Sequence, residues 1–341
     1  MRAVVVDRTG GPEVLEWREV PDPVVGSSDV LVRVRASGVC GRDVIDRRGG
    51  FPAMKLPIIL GHEFAGEVVS VGNAVTTFGA GDRVANLHRP FCGACDACVG
   101  GEIPDCTNAW QSFGHTIDGG YAELVAVPEK ALVRVPPDIG FTDAASVGCT
   151  AAVALRALRH EAGLQFGETV LITGASGGVG MQAIQIAKAM GARVIALTSA
   201  PSEKGAALRG AGADDVVSSV ESFHETVRSV SGGGVDVALE LTGSATFEGA
   251  LRSLRRRGRI VIVGNIRTEK VRFNPGALLL QSLRILGSHG FTPSDLGDCF
   301  RLMQKGGLRT VISRTLPLER AAEAHLALAN QAVVGRIILV P

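Results

Sequence analysis

The stretch Glu168–Ser199, ETVLITGASGGVGMQAIQIAKAMGARVIALTS, decides how the rest of the chain is read. The run VLI predicts a buried strand, TGASGGVG a glycine-rich turn, MQAIQIAKAM an amphipathic helix and RVIALTS a second strand. Strand, turn, helix and strand in that order form one βαβ unit, with the turn at a helix N-terminus. Gly177 there lets the backbone approach a pyrophosphate, and Gly180 lets the helix pack closely on the strand. Free N–H groups and the positive end of the helix dipole face the phosphates. Ala175 stands where the usual pattern has its first glycine, with Gly174 just before it. The candidate dinucleotide-binding turn is therefore Gly174, Ala175, Ser176, Gly177, Gly178, Val179 and Gly180. A tight turn that binds nothing is the alternative, and the βαβ frame argues against it.

The same alternation continues through DDVVSS, VDVALELTG, GRIVIVGN and LRILGS, with helical segments between. Short buried strands alternating with helices predict a doubly wound parallel sheet. Upstream, residues 1 to about 135 show short apolar runs broken by Gly, Pro and Asp, as in DVLVRVRASGV, AGEVVSVG and GDRVAN. They predict a mostly β unit of barrel-like or sandwich-like build, which PEKALVRVPPDIG closes with a proline pair. The last fifty residues hold one helix, LERAAEAHLALANQ, and a final strand, VGRIILVP, expected to return to the N-terminal unit. A chain of 341 residues usually needs more than one core. The fold class is thus α/β, with residues 1–150 and 292–341 in the mostly β unit and 151–291 in the coenzyme-binding unit.

An NAD site normally carries Asp or Glu at the end of the second strand. Here Thr198 and Ser199 occupy that place, with Lys204 downstream. Neutral hydroxyls do not repel a 2′-phosphate, and NADP is expected over NAD; Lys204 is either its partner or a solvated helix start.

Thirty-five basic and 34 acidic side chains leave a formal net charge of +1, no footprint for nucleic acid or an anionic membrane. The start, MRAVVVDRTG, has an apolar run too short for a signal-peptide core, and no apolar stretch is long enough to span a bilayer. The expectation is a cytoplasmic protein, where clustered cysteines are metal ligands rather than disulfides.

The segment CGACDACVGGEIPDC places Cys92, Cys95, Cys98 and Cys106 at a spacing that suits a closed, all-thiolate zinc in a lobe of about residues 90–108. Cys40 in ASGVCGRDV, His62 in ILGHEFAGEVV and Cys149 in ASVGCTAAVAL form a candidate open zinc site. Glu63 stands beside His62 as a further ligand, and Asp43 as a carboxylate to orient the imidazole. Spacing alone leaves open that Cys40 and Cys149 are small buried hydrophobes. Cys299 is read as structural, and the basic run LRRRGR at 254–259 as a solvated helix end. The loop histidine His115 is a candidate proton shuttle or, more simply, a solvent-exposed imidazole.

In order along almost the whole chain, GVCGRDV, GHEFAGEV, GDRV, CGACDACVGGEIPDC, GGYAEL and GASGGVG resemble the zinc-containing medium-chain dehydrogenase/reductase family of the alcohol dehydrogenase type. The resemblance implies a GroES-like catalytic domain, a Rossmann coenzyme domain and an active site in the cleft. It implies a catalytic zinc held at Cys40, His62 and Cys149, with Glu63 as alternate ligand and Asp43 behind the histidine. A structural zinc would sit at Cys92, Cys95, Cys98 and Cys106, and dimers or tetramers would form through the coenzyme domains. Two positions depart from the alcohol dehydrogenase pattern. Arg42 stands where a Ser or Thr hydroxyl starts the proton relay, and arginine stays protonated; Val153 stands where a Thr is common. The C-x-R-D pattern and the VGN turn at Gly264–Asn265 also resemble the acryloyl-CoA reductase branch, which reduces a C=C bond with NADPH. Three readings stand: an alcohol or carbonyl oxidoreductase acting on a small molecule; an enoyl-thioester or enone reductase; and a nucleotide-binding regulatory protein without turnover. In the second, Arg42 polarises the thioester oxygen or binds an anionic part of the substrate, unless it is only a structural ion pair.

Overall fold

The computed structural model describes residues 1–341 except Pro52, Ala109, Thr268, Gln331 and Ala332. Contacts divide the chain into Met1–Cys149 with Phe291–Gln304 and Ile312–Pro341, and Thr150–Gly290 with Lys305–Val311. The first unit holds strands β1 (Arg2–Val6), β2 (Glu16–Glu19), β3 (Asp29–Val39), β4 (Ile58–Ile59), β5 (Phe64–Val71), β6 (Arg83–Asn86), β7 (Leu124–Pro128) and β8 (Leu132–Arg134). The second holds β9 (Thr169–Ile172), β10 (Arg193–Thr198), β11 (Asp215–Ser218), β12 (Val235–Glu240), β13 (Leu254–Ile262) and β14 (Arg284–Gly287). β15 (Ile312–Pro317) and β16 (Arg336–Val340) belong to the first again. The helices are α1 (Gly41–Arg47), α2 (Asp96–Val99), α3 (Phe141–Val147), α4 (Val153–Arg156), α5 (Gly178–Ala189), α6 (Pro201–Gly210), α7 (Phe223–Val230), α8 (Ser244–Arg252), α9 (Pro275–Gln281), α10 (Pro293–Gln304) and α11 (Ala321–Ala329).

Alternation along β3 sends Val30, Val32 and Val34 into a core with Phe64, Val68 and Phe113 while Arg33 and Arg35 face out. β3 lies inside a seven-stranded sheet of order β15-β16-β3-β5-β6-β8, with β7 also paired to it, and β2-β1-β4 form a smaller sheet. β16 runs antiparallel to β3 with Ile337 opposite Val39, so Arg336 arrives beside Cys40. α11 ends at Ala329; Gln331, the last residue of the helix read from sequence, lies outside the described residues.

In the second unit the six strands are all parallel, in the order β11-β10-β9-β12-β13-β14. This is the doubly wound pattern, whose strands are buried on both faces and read as near-continuous apolar runs. β12 is buried along its whole length, and α5 buries Met181, Ala183, Ile184, Ile186 and Ala187. Parallel pairing brings the C-terminal ends of β9, β10, β12 and β13 to one edge, with the turns that follow them.

The basic run at 254–259 departs from expectation, since it opens β13 instead of ending a helix. α8 stops at Arg252, and pairing with β12 begins at Leu254 opposite Val235, with a register shift before Val237 meets Arg259. Arg257 takes φ +64° in that irregular stretch. Arg255 pairs with Asp236, and buried Arg259 grips Glu168 through both terminal nitrogens at 2.8 and 2.6 Å. Arg255 and Arg259 are thus spent on carboxylates, while Arg256 and Arg257 are exposed. Among the described residues, no helix is long and apolar enough to cross a membrane.

Candidate functional site

Cys40 ends the extended run of β3, and α1 starts one residue later. The first helical turn therefore folds the residue three positions on, Asp43, back beneath it. Asp43 Oδ2 accepts the Cys40 N–H at 2.9 Å, and Oδ1 accepts from His62 Nδ1 at 2.8 Å. His62 lies between β4 and β5, after Gly61, whose φ of +92° and contact with the Tyr121 ring leave no room for a side chain. Asn86, at the end of β6, donates to the His62 carbonyl at 2.9 Å and accepts the Phe64 N–H at 2.7 Å, pinning the backbone on both sides of Glu63. One ligand atom each from Cys40, His62 and Glu63 lie within 4.8 Å of one another. Cys149, in a kinked turn after α3, is not in that group; it lies close enough to His62 for each side chain to shift the other's pKa.

The electrostatics suit a cation. Burial pushes the Cys40 thiol up, but Arg336 and His62 outweigh it and bring it down to about 7. Burial likewise opposes charge on Asp43, yet His62, His325 and the Cys40 N–H hold its carboxyl at about 2. His62 is raised well above 6.5, against its burial, by Asp43 and Cys40, whereas burial raises the Cys149 thiol. Glu63 Oε1 pairs with Arg336, and Glu63 Oε2 is buried without a hydrogen-bond partner among the described residues. Because a carboxylate only accepts, the Asp43 contact commits the Nδ1–H of His62 and leaves Nε2 as the atom to offer. A thiol near 7, an available imidazole nitrogen and an orphaned carboxylate oxygen match a zinc donor set, and metal uptake would displace the Nε2 and Sγ protons.

The second cluster is the four-cysteine lobe. The Cys92, Cys95, Cys98 and Cys106 sulfurs lie within 4.8 Å of one another, and all are free thiols. The Cys92 sulfur accepts N–H bonds from Ala94 and Cys95 at 3.4 and 3.3 Å, and these bring it to about 6. Cys98 is pushed up to about 12, by desolvation and by the neighbouring thiols. Four sulfurs crowded without disulfides, one with its pKa lowered by backbone donors, fit a closed tetrahedral metal.

Arg42 is not a free cation. Its Nε sits 2.9 Å from both oxygens of buried Asp46, and its guanidinium lies 3.9 Å from the centroid of Phe51. The expectation of an exposed His115 is overturned. Its backbone carbonyl accepts from Lys55, its ring is buried edge-on to Phe51, and Nδ1 lies 3.4 Å from Asp46 Oδ1 without hydrogen-bond geometry. The tight turn at Phe113–Ile117 folds the ring inward.

In the glycine-rich turn, Gly174 has φ +54°, and a Cβ on Gly180 would stand 2.5 Å from the Ala175 carbonyl oxygen, so helix and turn touch there. No side chain caps the N-terminus of α5 at Gly177, and its N–H groups stay available for phosphate. Ala175 and Ser176 are buried in the turn ahead of Gly178 and Val179. At the end of β10, Thr198 is buried with its hydroxyl accepting the Ala200 N–H at 3.4 Å; Ser199 is exposed, and Lys204 lies in the first turn of α6. Gly264 and Asn265 follow β13, where the Gly264 N–H bonds to the Glu240 carbonyl. Glu240 itself is fully buried, and its Oε1 accepts from Thr173, Thr242, Gly243 and Thr246.

Sequence reasoning missed Arg336, Asn86, Asp46, Tyr121 and His325. A charge in an otherwise apolar terminal strand was the available signal for Arg336. Nothing in the local pattern marked the others.

Residues 26–137 match the alcohol dehydrogenase GroES-like domain, and residues 178–305 match the zinc-binding dehydrogenase model. The chain is 37% identical over 340 residues to an acryloyl-coenzyme A reductase of Metallosphaera sedula, covering 99% of each. It is 33% identical over 342 residues to an alcohol dehydrogenase of Geobacillus stearothermophilus, again covering 99% of each. The crystal structure of AibC superposes with a TM-score of 0.94 at 44% identity, over 100% of this chain and 96% of that one.

Proposed function

The chain belongs to the zinc-binding dehydrogenases with an alcohol dehydrogenase GroES-like domain, an NAD(P)-dependent oxidoreductase family, and on that premise we propose that it reduces the C=C bond of an α,β-unsaturated thioester with NADPH. Arg42 carries this reading. Where a relay hydroxyl would stand there is a guanidinium fixed by Asp46 and Phe51. Reduction at carbon needs no proton delivered to oxygen, so a site without that relay suits it. The side chain of Arg42 is 38% exposed, leaving its outer N–H groups to meet a thioester oxygen or an anionic part of the substrate. The names of relatives such as the acryloyl-coenzyme A reductases of Metallosphaera sedula and Sulfurisphaera tokodaii support the same substrate class.

When bound, zinc supplies Lewis acidity toward a carbonyl oxygen and the nicotinamide supplies a hydride. Cys40, His62 and Cys149 would hold the catalytic ion, with Glu63 in reserve on its Arg336 tether. Cys92, Cys95, Cys98 and Cys106 would hold a structural one. Asp43 keeps the imidazole turned with Nε2 outward. The turn Gly174–Gly180 receives the pyrophosphate, and Ser199 with Lys204 favours a 2′-phosphate because no carboxylate stands at the end of β10. A homo-oligomer formed through the second unit belongs to the same proposal. Leu279 and Leu280 on α9 are 79% and 72% exposed, and β14 is an edge strand. A cytoplasmic setting fits seven free thiols.

The test is NADPH oxidation with matched saturated and unsaturated substrates, each offered as aldehyde and as CoA thioester. Turnover of the unsaturated thioester to a saturated product is expected, and Arg42→Thr should lower its kcat/KM by about 10²-fold or more. A carbonyl oxidoreductase is the second reading, favoured by the clustering of Cys40, His62 and Glu63. Faster turnover of saturated aldehydes would establish it instead.

A further inference from the structure

Behind Asp43 lies a hydrogen-bonded chain that ends in the interior of the first unit. Tyr121, the single tyrosine of the sequence, donates its hydroxyl proton to Asp43 Oδ2 at 3.1 Å. The same hydroxyl oxygen lies 3.3 Å from His325 Nε2, with the two rings edge to face at 5.9 Å. Tyr121 and His325 are both fully buried. His325 comes from α11, Tyr121 from the loop before β7 and Asp43 from α1, so three distant segments meet at this chain.

The direction of the chain follows from its two ends. Asp43 only accepts, so both Tyr121 and His62 must donate to it. The Tyr121 oxygen, its own proton given away, is then open to accept from His325. At the far end, His325 Nδ1 is buried with no hydrogen-bond partner among the described residues. An orphaned acceptor in a protein interior is better tolerated than an orphaned N–H, which places the His325 proton on Nε2. Burial, opposed by Asp43 and reinforced by Arg47 and Arg48, keeps that imidazole neutral. The protons therefore point one way: His325 Nε2–H to Tyr121, Tyr121 O–H to Asp43, and His62 Nδ1–H to the other oxygen of Asp43.

We propose that Tyr121 and His325 are positioning residues of the Cys40–His62–Cys149 centre, holding Asp43 so that His62 presents Nε2 to a metal. The proposal rests on the reading of that centre as a metal site. Without the Tyr121 donor, Asp43 Oδ2 keeps only the Cys40 N–H, and the carboxylate is free to rotate about that bond. His62 then loses a fixed partner and with it a fixed ring plane. Partners behind a metal-bound histidine are worth about tenfold to a hundredfold in metal affinity.

The experiment is zinc release from the full-length, zinc-loaded protein to a colorimetric chelator, with a parallel visible spectrum of the cobalt-substituted protein. Cys40→Ala and Cys98→Ala identify which release phase belongs to which cluster. Tyr121→Phe keeps the ring and removes only the hydroxyl. It should release the Cys40-centre zinc about tenfold faster, shift the cobalt bands of that centre and leave the four-cysteine phase unchanged. His325→Leu should do the same. His325→Gln, whose amide N–H can still donate to Tyr121, should restore most of the retention. Equal release and unshifted cobalt bands in Tyr121→Phe overturn the proposal while the metal centre stands. If wild type shows no phase that Cys40→Ala removes, the metal centre itself fails and this inference with it.

Discussion

Glu63 and Arg336 form an ion pair with side chains 1% and 7% exposed, next to the candidate metal ligands. Arg336→Met would leave the Glu63 charge buried beside His62 without its guanidinium partner, which costs about 3–5 kcal/mol. Urea denaturation should show that loss, and the double variant Glu63→Gln/Arg336→Met should recover most of it. His325 gives a separate, pH-dependent signature. Its imidazole is held at about 4 against 6.5 for a free one, so the unfolded chain takes up protons first as pH falls. The contribution of His325 to stability is full above about pH 6.5 and declines from there to about pH 4, by up to about 3 kcal/mol. Asp43, held at about 2, adds its own loss only below about pH 4. Urea midpoints between pH 7 and 4.5 should fall less for His325→Gln than for wild type. Cys40, His62 and Cys149 became candidates for one site through the family resemblance, whereas the four-cysteine lobe was legible in the sequence because its close spacing carries few other meanings. Tyr121 and His325 were not: their relation to Asp43 exists only once a loop and a helix, 78 and 282 residues further along, pack against α1.

At the scale of elements, the proposed coenzyme preference rests on the junction of β10 and α6. Ser199 is exposed there, while the Thr198 hydroxyl is turned to the Ala200 N–H. Ser199→Asp should place a carboxylate against the 2′-phosphate and weaken NADPH about tenfold or more, with little change for NADH. Fluorescence titration of both coenzymes measures the ratio; an unchanged ratio would remove Ser199 from the determinants. The β9–α5–β10 unit was readable because short continuous apolar runs flank a glycine turn and a helix of 3.6 period. The start of β13 was not, since LRRRGR carries no apolar alternation. Its strand geometry comes from pairing with β12 and from Asp236 and Glu168, which pair with Arg255 and Arg259 from outside the segment.

For the whole molecule, the exposed leucines of α9 and the open edge of β14 make association through the second unit the expectation. In sedimentation velocity the wild type should run as an oligomer and Leu279→Asp/Leu280→Asp as a monomer; a monomeric wild type, or an unchanged coefficient in the variant, would overturn this expectation. Fold class was legible from two contrasting rhythms, short alternating strands and then strand–helix repeats. The chemistry was less legible, because the ligand set suits both carbonyl and C=C reduction and the choice turns on what surrounds Arg42. The most direct measurement follows a label: [4-²H]NADPH with an α,β-unsaturated thioester and with the matching aldehyde, and the position of deuterium in the product read by NMR. Deuterium on the β-carbon with the carbonyl intact is the expected result. Deuterium on the carbonyl carbon, as an alcohol, would contradict it and return the protein to the carbonyl oxidoreductases.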